Sequence, residues 1–175
     1  MLATGRSVIS AAPIARRLGM TTGPAVCSNG AVSVTLDPAA ERGYRITDMI
    51  TFDPGPALRV IRKELPDAAY AASGSSLRIG LHEVSYSVGW IAWLDLNPKG
   101  VTKASALEDL RIRLGVDAAD TIAIGDGRND LDMLRWAGRG VAMGNADDVV
   151  RAAADEVTGT IDEDGVVPVL RGLSD

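Results

Sequence analysis

The stretch Thr121-Ile122-Ala123-Ile124-Gly125-Asp126-Gly127-Arg128-Asn129-Asp130 decides how this chain is read. Residues 121–124 form a short continuous apolar run, the kind of strand that parallel sheets bury on both faces. A carboxylate, Asp126, follows just past the C-terminal end of that strand, where open α/β sheets bind their ligands. Asp130 comes one helical turn later, so the two carboxylates can converge on one point. Two hard oxygen anions at a strand tip suit Mg²⁺, which keeps several waters and takes further ligands from a substrate phosphate. The plainer alternative makes Asp126 and Asn129 turn and helix-cap residues. A dinucleotide-binding loop is excluded because Asp130 occupies the third glycine position of GxGxxG. An EF-hand is excluded because its spacing and its late Glu are missing.

Upstream of this stretch, Asn97-Pro98-Lys99-Gly100 is a turn. Thr102 caps a helix with Leu107, Leu110 and Leu114 on one face, and Gly115 ends it. Lys103 falls in the first turn of that helix, where the macrodipole disfavours a cation. It is either a solvated lysine or one with an anion to meet. The chain has three lysines in all, Lys63, Lys99 and Lys103. GxxxxGK[ST] is absent, so this is no P-loop. Downstream, the pattern predicts a helix over 128–137, a strand over 141–143, a helix over 146–154 and a last strand near 156–158. This alternation implies a parallel sheet covered by helices.

The N-terminal part repeats the theme. Met1-Leu2-Ala3 is a short apolar strand. Thr4-Gly5-Arg6 then offers a hydroxyl, a small residue and backbone N–H groups at the start of a helix over 7–18. That is a ready anion site, or equally a simple capping turn. Ala25-Val26-Cys27 is stopped by the turn signal Ser28-Asn29-Gly30, and residues 31–36 alternate as a half-buried strand. A strand is expected near 43–50 and a helix from Pro54-Gly55-Pro56 to about residue 65. Residues 68–96 are strand-like, rich in Ser and Gly, and hold Trp90, Ile91, Trp93, Leu94 and Leu96. The different character of 34–96 reads as an inserted small domain.

Composition bounds the function. The chain has 175 residues, 46% hydrophobic and 23% charged, which is ordinary globular usage. At that length it can bury roughly 70% of its unfolded surface. The formal charge of −5 argues against a nucleic-acid partner. No apolar run approaches the ~20 residues of a membrane span, and the expected location is the cytoplasm. One cysteine, Cys27, excludes an intrachain disulfide, and one histidine, His82, excludes chemistry that needs several. Cys27 reads as a small buried hydrophobe. Trp90, Trp93 and Trp136 read as packing residues, His82 as a surface residue, and Arg16 and Arg17 as a solvated helix face.

The ordered series Leu2-Ala3-Thr4-Gly5-Arg6, Cys27-Ser28-Asn29-Gly30-Ala31, Lys99-Gly100-Val101-Thr102-Lys103, Gly125-Asp126-Gly127-Arg128-Asn129-Asp130 and Asp162-Glu163-Asp164-Gly165-Val166 resembles the haloacid dehalogenase (HAD) superfamily, and within it the Cof-type phosphatases. The resemblance covers nearly the whole chain except 34–96. It implies an α/β, Rossmann-like core from residues 1–33 and 97–175, a parallel sheet with helices on both faces, and a small α+β cap inserted at 34–96. It implies Mg²⁺-dependent hydrolysis of a small phosphorylated metabolite through an aspartyl-phosphate. By position, Thr4 and Gly5 would bind the phosphoryl oxygens, Lys103 would neutralise nucleophile and phosphate, and Asn129 would hydrogen-bond near the phosphate. Asp126 and Asp130 would hold Mg²⁺.

The family's first motif, DxD at the tip of its first strand, has no counterpart here. Its two aspartates are the nucleophile and the acid/base. Asp130-Leu131-Asp132 is a DxD inside the metal motif's helix. Asp162-Glu163-Asp164 follows a poor strand and occupies the family's usual C-terminal position. The expectation is therefore a truncated form without its first strand, inactive alone. The alternative is a non-catalytic Mg²⁺- or phosphate-binding remnant of the fold.

Overall fold

The computed structural model describes residues 1–66, 69–72, 77–80 and 93–173. His82, Trp90 and Ile91 lie outside them, as does much of the expected cap. The chain divides into two compact units, Met1–Val101 and Thr102–Asp175.

The first unit opens with β1 (Leu2–Ala3), α1 (Val8–Arg17), β2 (Gly23–Cys27), β3 (Val32–Leu36) and β4 (Tyr44–Met49). These strands form one sheet in the order β1-β2-β3-β4. β1 and β2 are parallel, with Leu2 opposite Ala25, so the chain needs a crossover and α1 supplies it. β3 and β4 return antiparallel. The small face of α1 allows close packing: Ala11 and Ala15 lie against Ala25, Cys27, Val32, Val34 and Leu36. The hydrogen-bonded sheet thus continues through Met49, and the cap boundary expected at residue 34 falls inside β3. After it come α2 (Gly55–Glu64) and an antiparallel sheet of β5 (Ala69–Ala72), β6 (Leu77–Gly80) and β7 (Trp93–Leu96).

The reversal from β2 to β3 is made by three residues in succession at positive φ, Ser28 (50°), Asn29 (52°) and Gly30 (103°). L-residues pay about 1–2 kcal/mol each in that region, and Asn tolerates it better than most.

The second unit contains α3 (Lys103–Leu114), β8 (Ile122–Gly125), α4 (Leu131–Trp136), β9 (Arg139–Ala142), α5 (Asp148–Arg151), β10 (Glu156–Val157) and α6 (Val166–Arg171). Its sheet has the order β10-β9-β8 and is parallel throughout. α3 begins at a capping box between Thr102 and Ser105 and ends at Gly115, whose φ is 66°. The core gathers Leu107, Leu110, Ala123, Leu134, Val141, Val150 and Val169. Full burial of side chains such as Leu134 and Val141 contributes roughly 1.5–3 kcal/mol each.

Three expectations are corrected here. β8 is not buried on both faces: Ala123 and Gly125 are buried while Ile122 and Ile124 are half-exposed. The helix expected over 128–137 begins as a 3-10 turn at Arg128–Asp130. The helix expected over 146–154 shortens to Asp148–Arg151, its start set by Asp147, whose side chain accepts the Val150 N–H. α6 has no sequence signal of its own. Its Val166-Val167-Pro168 start combines low helix propensity with a proline, tolerated because it falls in the first turn. Among the described residues no helix is long and apolar enough to cross a membrane.

Candidate active site

In the second unit the site forms at the C-terminal tip of β8. The strand ends at Gly125, and the chain runs through Asp126 and Gly127 into the 3-10 turn that carries Asn129 and Asp130. Asp130 is buried and turns back beneath the strand tip. Its Oδ2 accepts the backbone N–H groups of Asp126 (3.2 Å) and Gly127 (3.0 Å). Its Oδ1 accepts the Lys103 ammonium at 2.6 Å, with the two side chains only 8% and 6% exposed. Gly125 makes this fold-back possible, because a Cβ there would lie 2.6 Å from the Cβ of Asp130.

The lysine that sits against the macrodipole at the head of α3 therefore has its anion. One of its three N–H donors goes to Asp130. Two remain for another acceptor. Lys103 and Asp130 thus meet inside the protein, a pairing that the sequence did not single out, since the resemblance gave Lys103 to nucleophile and phosphate and Asp130 to Mg²⁺.

Asp126 is placed differently. It is exposed, and its Oδ2 receives the Asn145 side-chain amide at 3.4 Å. Asn129 is exposed on the turn, its Oδ1 beside Gly127. A hard cation fits this donor set through Asp126, an accessible carboxylate at a strand tip. Both oxygens of Asp130 are already engaged. Mg²⁺ is commonly held by one or two carboxylates with waters and substrate phosphate completing its shell. Among the described residues no group of three His, Cys, Asp or Glu stands ready to hold a metal alone.

Thr4 and Gly5 lie in the first unit, in the loop between β1 and α1. Thr4 Oγ1 accepts the Arg6 N–H at 3.2 Å, so the threonine closes the turn that opens α1. The loop is tied to the strained reversal after β2: Ser28 N–H donates to Arg6 O (2.9 Å) and Asn29 N–H to Thr4 O (3.1 Å).

The wall opposite Asp126 is made by residues that the sequence does not single out. Asn145 and Asp147 belong to it, and Arg128, in the turn after β8, reaches across to it with its Nε 2.6 Å from Asp147 Oδ2. What puts them there is a strand pairing that no local stretch of sequence signals. β9 is parallel to β8 with Ala142 opposite Gly125, so the residues after each strand emerge side by side. The segment after β10 joins the same rim, where Asn145 Oδ1 accepts the Ile161 N–H at 3.0 Å. Asp162 and Glu163 fall in a 3-10 turn there, and Asp164 ends it in the left-handed region. Neither DxD of the chain stands at the tip of a strand.

A parallel sheet with an exposed carboxylate at one strand tip, and a second carboxylate buried against a lysine in the turn that follows, defines an α/β protein whose candidate site lies at the C-terminal edge of its sheet. The comparisons then fix the family. The profile of the haloacid dehalogenase-like hydrolases matches residues 37–170, and the chain belongs to that family. Over 107 residues it is 39% identical to the putative phosphatase YkrA of Bacillus subtilis, covering 61% of this chain and 38% of that protein. Over 78 residues it is 44% identical to the 5-amino-6-(5-phospho-D-ribitylamino)uracil phosphatase YcsE of the same organism, covering 45% of this chain and 31% of that one. The chain thus spans about a third of the length of these curated relatives. A solved haloacid dehalogenase-like hydrolase from Bacteroides thetaiotaomicron shares the fold, with a TM-score of 0.76 at 23% identity over 98% of this chain and 85% of that one. The family read from the motifs is borne out, and so is its Rossmann-like α/β fold.

Proposed function

We propose that the chain serves the Mg²⁺-dependent hydrolysis of a small phosphorylated metabolite in the cytoplasm, as a phosphoric monoester hydrolase. The observation that carries this reading is the division of labour between the two carboxylates. Asp126 faces outward at the strand tip, while Asp130 is buried and pins both the loop and Lys103. Asp126 is the residue that would hold Mg²⁺, and a bound Mg²⁺ would neutralise charge on the phosphoryl oxygens. Asp130 acts on the site through the loop it closes. Lys103 directs its remaining N–H donors at an anionic group, and Asn129 offers a further polar contact, while the Thr4-Gly5 turn of the first unit presents a hydroxyl and backbone N–H groups of its own to a phosphate. Of the core read from residues 1–33 and 97–175, the first segment is extended by β3 and β4 as far as Met49. The insertion that chooses the substrate begins after β4, since β3 and β4 are hydrogen-bonded into the core sheet.

A second reading, a Mg²⁺- or phosphate-binding module without turnover, is favoured by one observation: no DxD of the chain occupies a strand tip. Titration with Mg²⁺ and orthophosphate, together with hydrolysis of a phosphomonoester panel, tests both. Cation binding that is lost in Asp126→Asn supports the assigned site, and binding unchanged in that variant overturns it. The 175 residues alone are expected to bind without turnover. Turnover that disappears on Asp162→Asn would instead make the C-terminal DxD the nucleophile site.

A further inference from the structure

We infer that Asn145 is a positioning residue that aims the Asp126 carboxylate, and that it does so as a rigid strut between Asp126 and the turn after β10. The inference rests on the reading of Asp126 as the cation-holding carboxylate. Three observations carry it.

The side-chain amide of Asn145 is used at both ends. Its Nδ2 donates to Asp126 Oδ2 at 3.4 Å, and its Oδ1 accepts the Ile161 N–H at 3.0 Å. Because an amide's oxygen and nitrogen are distinct, the Ile161 N–H fixes which end faces Asp126. Turned the other way, Asn145 would set an oxygen against a carboxylate.

Asn145 also stands on a well-held backbone. Gly144 N–H donates to Gly159 O at 3.0 Å and Ala146 N–H to Met143 O at 3.0 Å, while Arg151 donates to the carbonyls of both Gly144 (3.2 Å) and Ala146 (2.7 Å). Ala146 itself is buried. The turn on the far side is held by Glu163, whose Oε2 accepts the Thr160 N–H and hydroxyl at 2.9 Å each.

Finally, Asp126 has little else to orient it. It is exposed, whereas the neighbouring Asp130 is fixed by a lysine and two backbone N–H groups. A carboxylate that must present one oxygen to a cation gains from having the other engaged. Partners behind a metal ligand typically change metal affinity about 10–100-fold when removed. The 3.4 Å contact is at the long end of the hydrogen-bond range, which places Asn145 at the lower limit of that span.

The test uses Mn²⁺ as a paramagnetic probe, with free Mn²⁺ read by electron paramagnetic resonance, on the full chain and three variants. Asp126→Asn removes the proposed ligand. Asn145→Ala removes the strut. Ile161→Pro removes only the N–H that fixes the strut's orientation. Proline suits that position, because Ile161 is 69% exposed and opens a 3-10 turn, with Thr160 before it extended at φ −72°, ψ 172°. Asn145→Ala is expected to weaken Mn²⁺ binding about 10-fold. Ile161→Pro should weaken it severalfold with its unfolding midpoint unchanged, an outcome a merely structural role would not give. If Asp126→Asn loses binding while Ile161→Pro and folded Asn145→Ala bind like wild type, the inference is overturned and the reading of Asp126 stands. If Asp126→Asn also binds like wild type, both fall. Should Asn145→Ala fail to fold, Ile161→Pro decides alone.

Discussion

Replacing Lys103 by Met tests whether the buried ion pair is as dry as its geometry says. Lys103 Nζ and Asp130 Oδ1 are 2.6 Å apart with side chains 6% and 8% exposed. Removing one partner of such a pair costs about 3–5 kcal/mol, because the other charge is left in a poor solvent. Asp130 keeps two backbone N–H donors after Lys103→Met, so about 3 kcal/mol is expected. Asp130→Asn strands the ammonium and weakens both loop hydrogen bonds, so it should lie nearer 5 kcal/mol. For a chain of 175 residues each kcal/mol moves Tm by about 2–4 °C, so Lys103→Met should lower it by roughly 6–12 °C. The double variant Lys103→Met/Asp130→Asn removes both charges and should recover about 2–3 kcal/mol of the summed loss. Urea unfolding followed by circular dichroism measures all three, with an unchanged m-value as the check that the same transition is being compared. A Lys103→Met protein within 0.5 kcal/mol of wild type would refute the reasoning, since it would mean that water reaches the pair.

Three other expectations follow from the structure. Gly125→Ala should destabilise by about 1–3 kcal/mol and disorder the strand tip, seen as lost protection of the Asp126 and Gly127 amides, because its Cβ would sit 2.6 Å from that of Asp130. The Glu108 carboxyl is held down to about 2 by Arg111 and by the Trp136 indole N–H. Its contribution to stability is therefore full above pH ~4.5 and fades as the pH falls toward 2, and Glu108→Gln should flatten the melting temperature over that interval. Burial pushes the Cys27 thiol up to about 11, so a disulfide reagent at pH 8 should modify it only as fast as the protein unfolds.

Much of the core was legible because its signals are local. Gly115 stops α3, and Thr102 caps it as its hydroxyl and position predict. The apolar run up to Ile124, broken by Gly125 and Asp126, places the end of β8 where the structure has it. What the sequence hid depends on which strands lie side by side. Nothing near Asn145 says that β9 emerges beside β8, and Ile161 looks like one exposed apolar residue until its N–H is traced. α6 was hidden for the opposite reason, since its valines and proline argue locally for something else and the burial of Val169 overrides them. The different fates of Asp126 and Asp130 could not be separated by spacing, because both lie within reach of one point and only the fold-back over Gly125 buries one of them.

The left-handed run after β2 also gives the first unit a clock. Ser28 and Asn29 hand their N–H groups to the carbonyls of Arg6 and Thr4, so neither amide can exchange with solvent until the Thr4-Gly5-Arg6 loop lets go. Deuterium uptake at these two positions thus times the opening of a loop that bears neither amide, and its dependence on orthophosphate would register an anion seated there through residues the anion never touches.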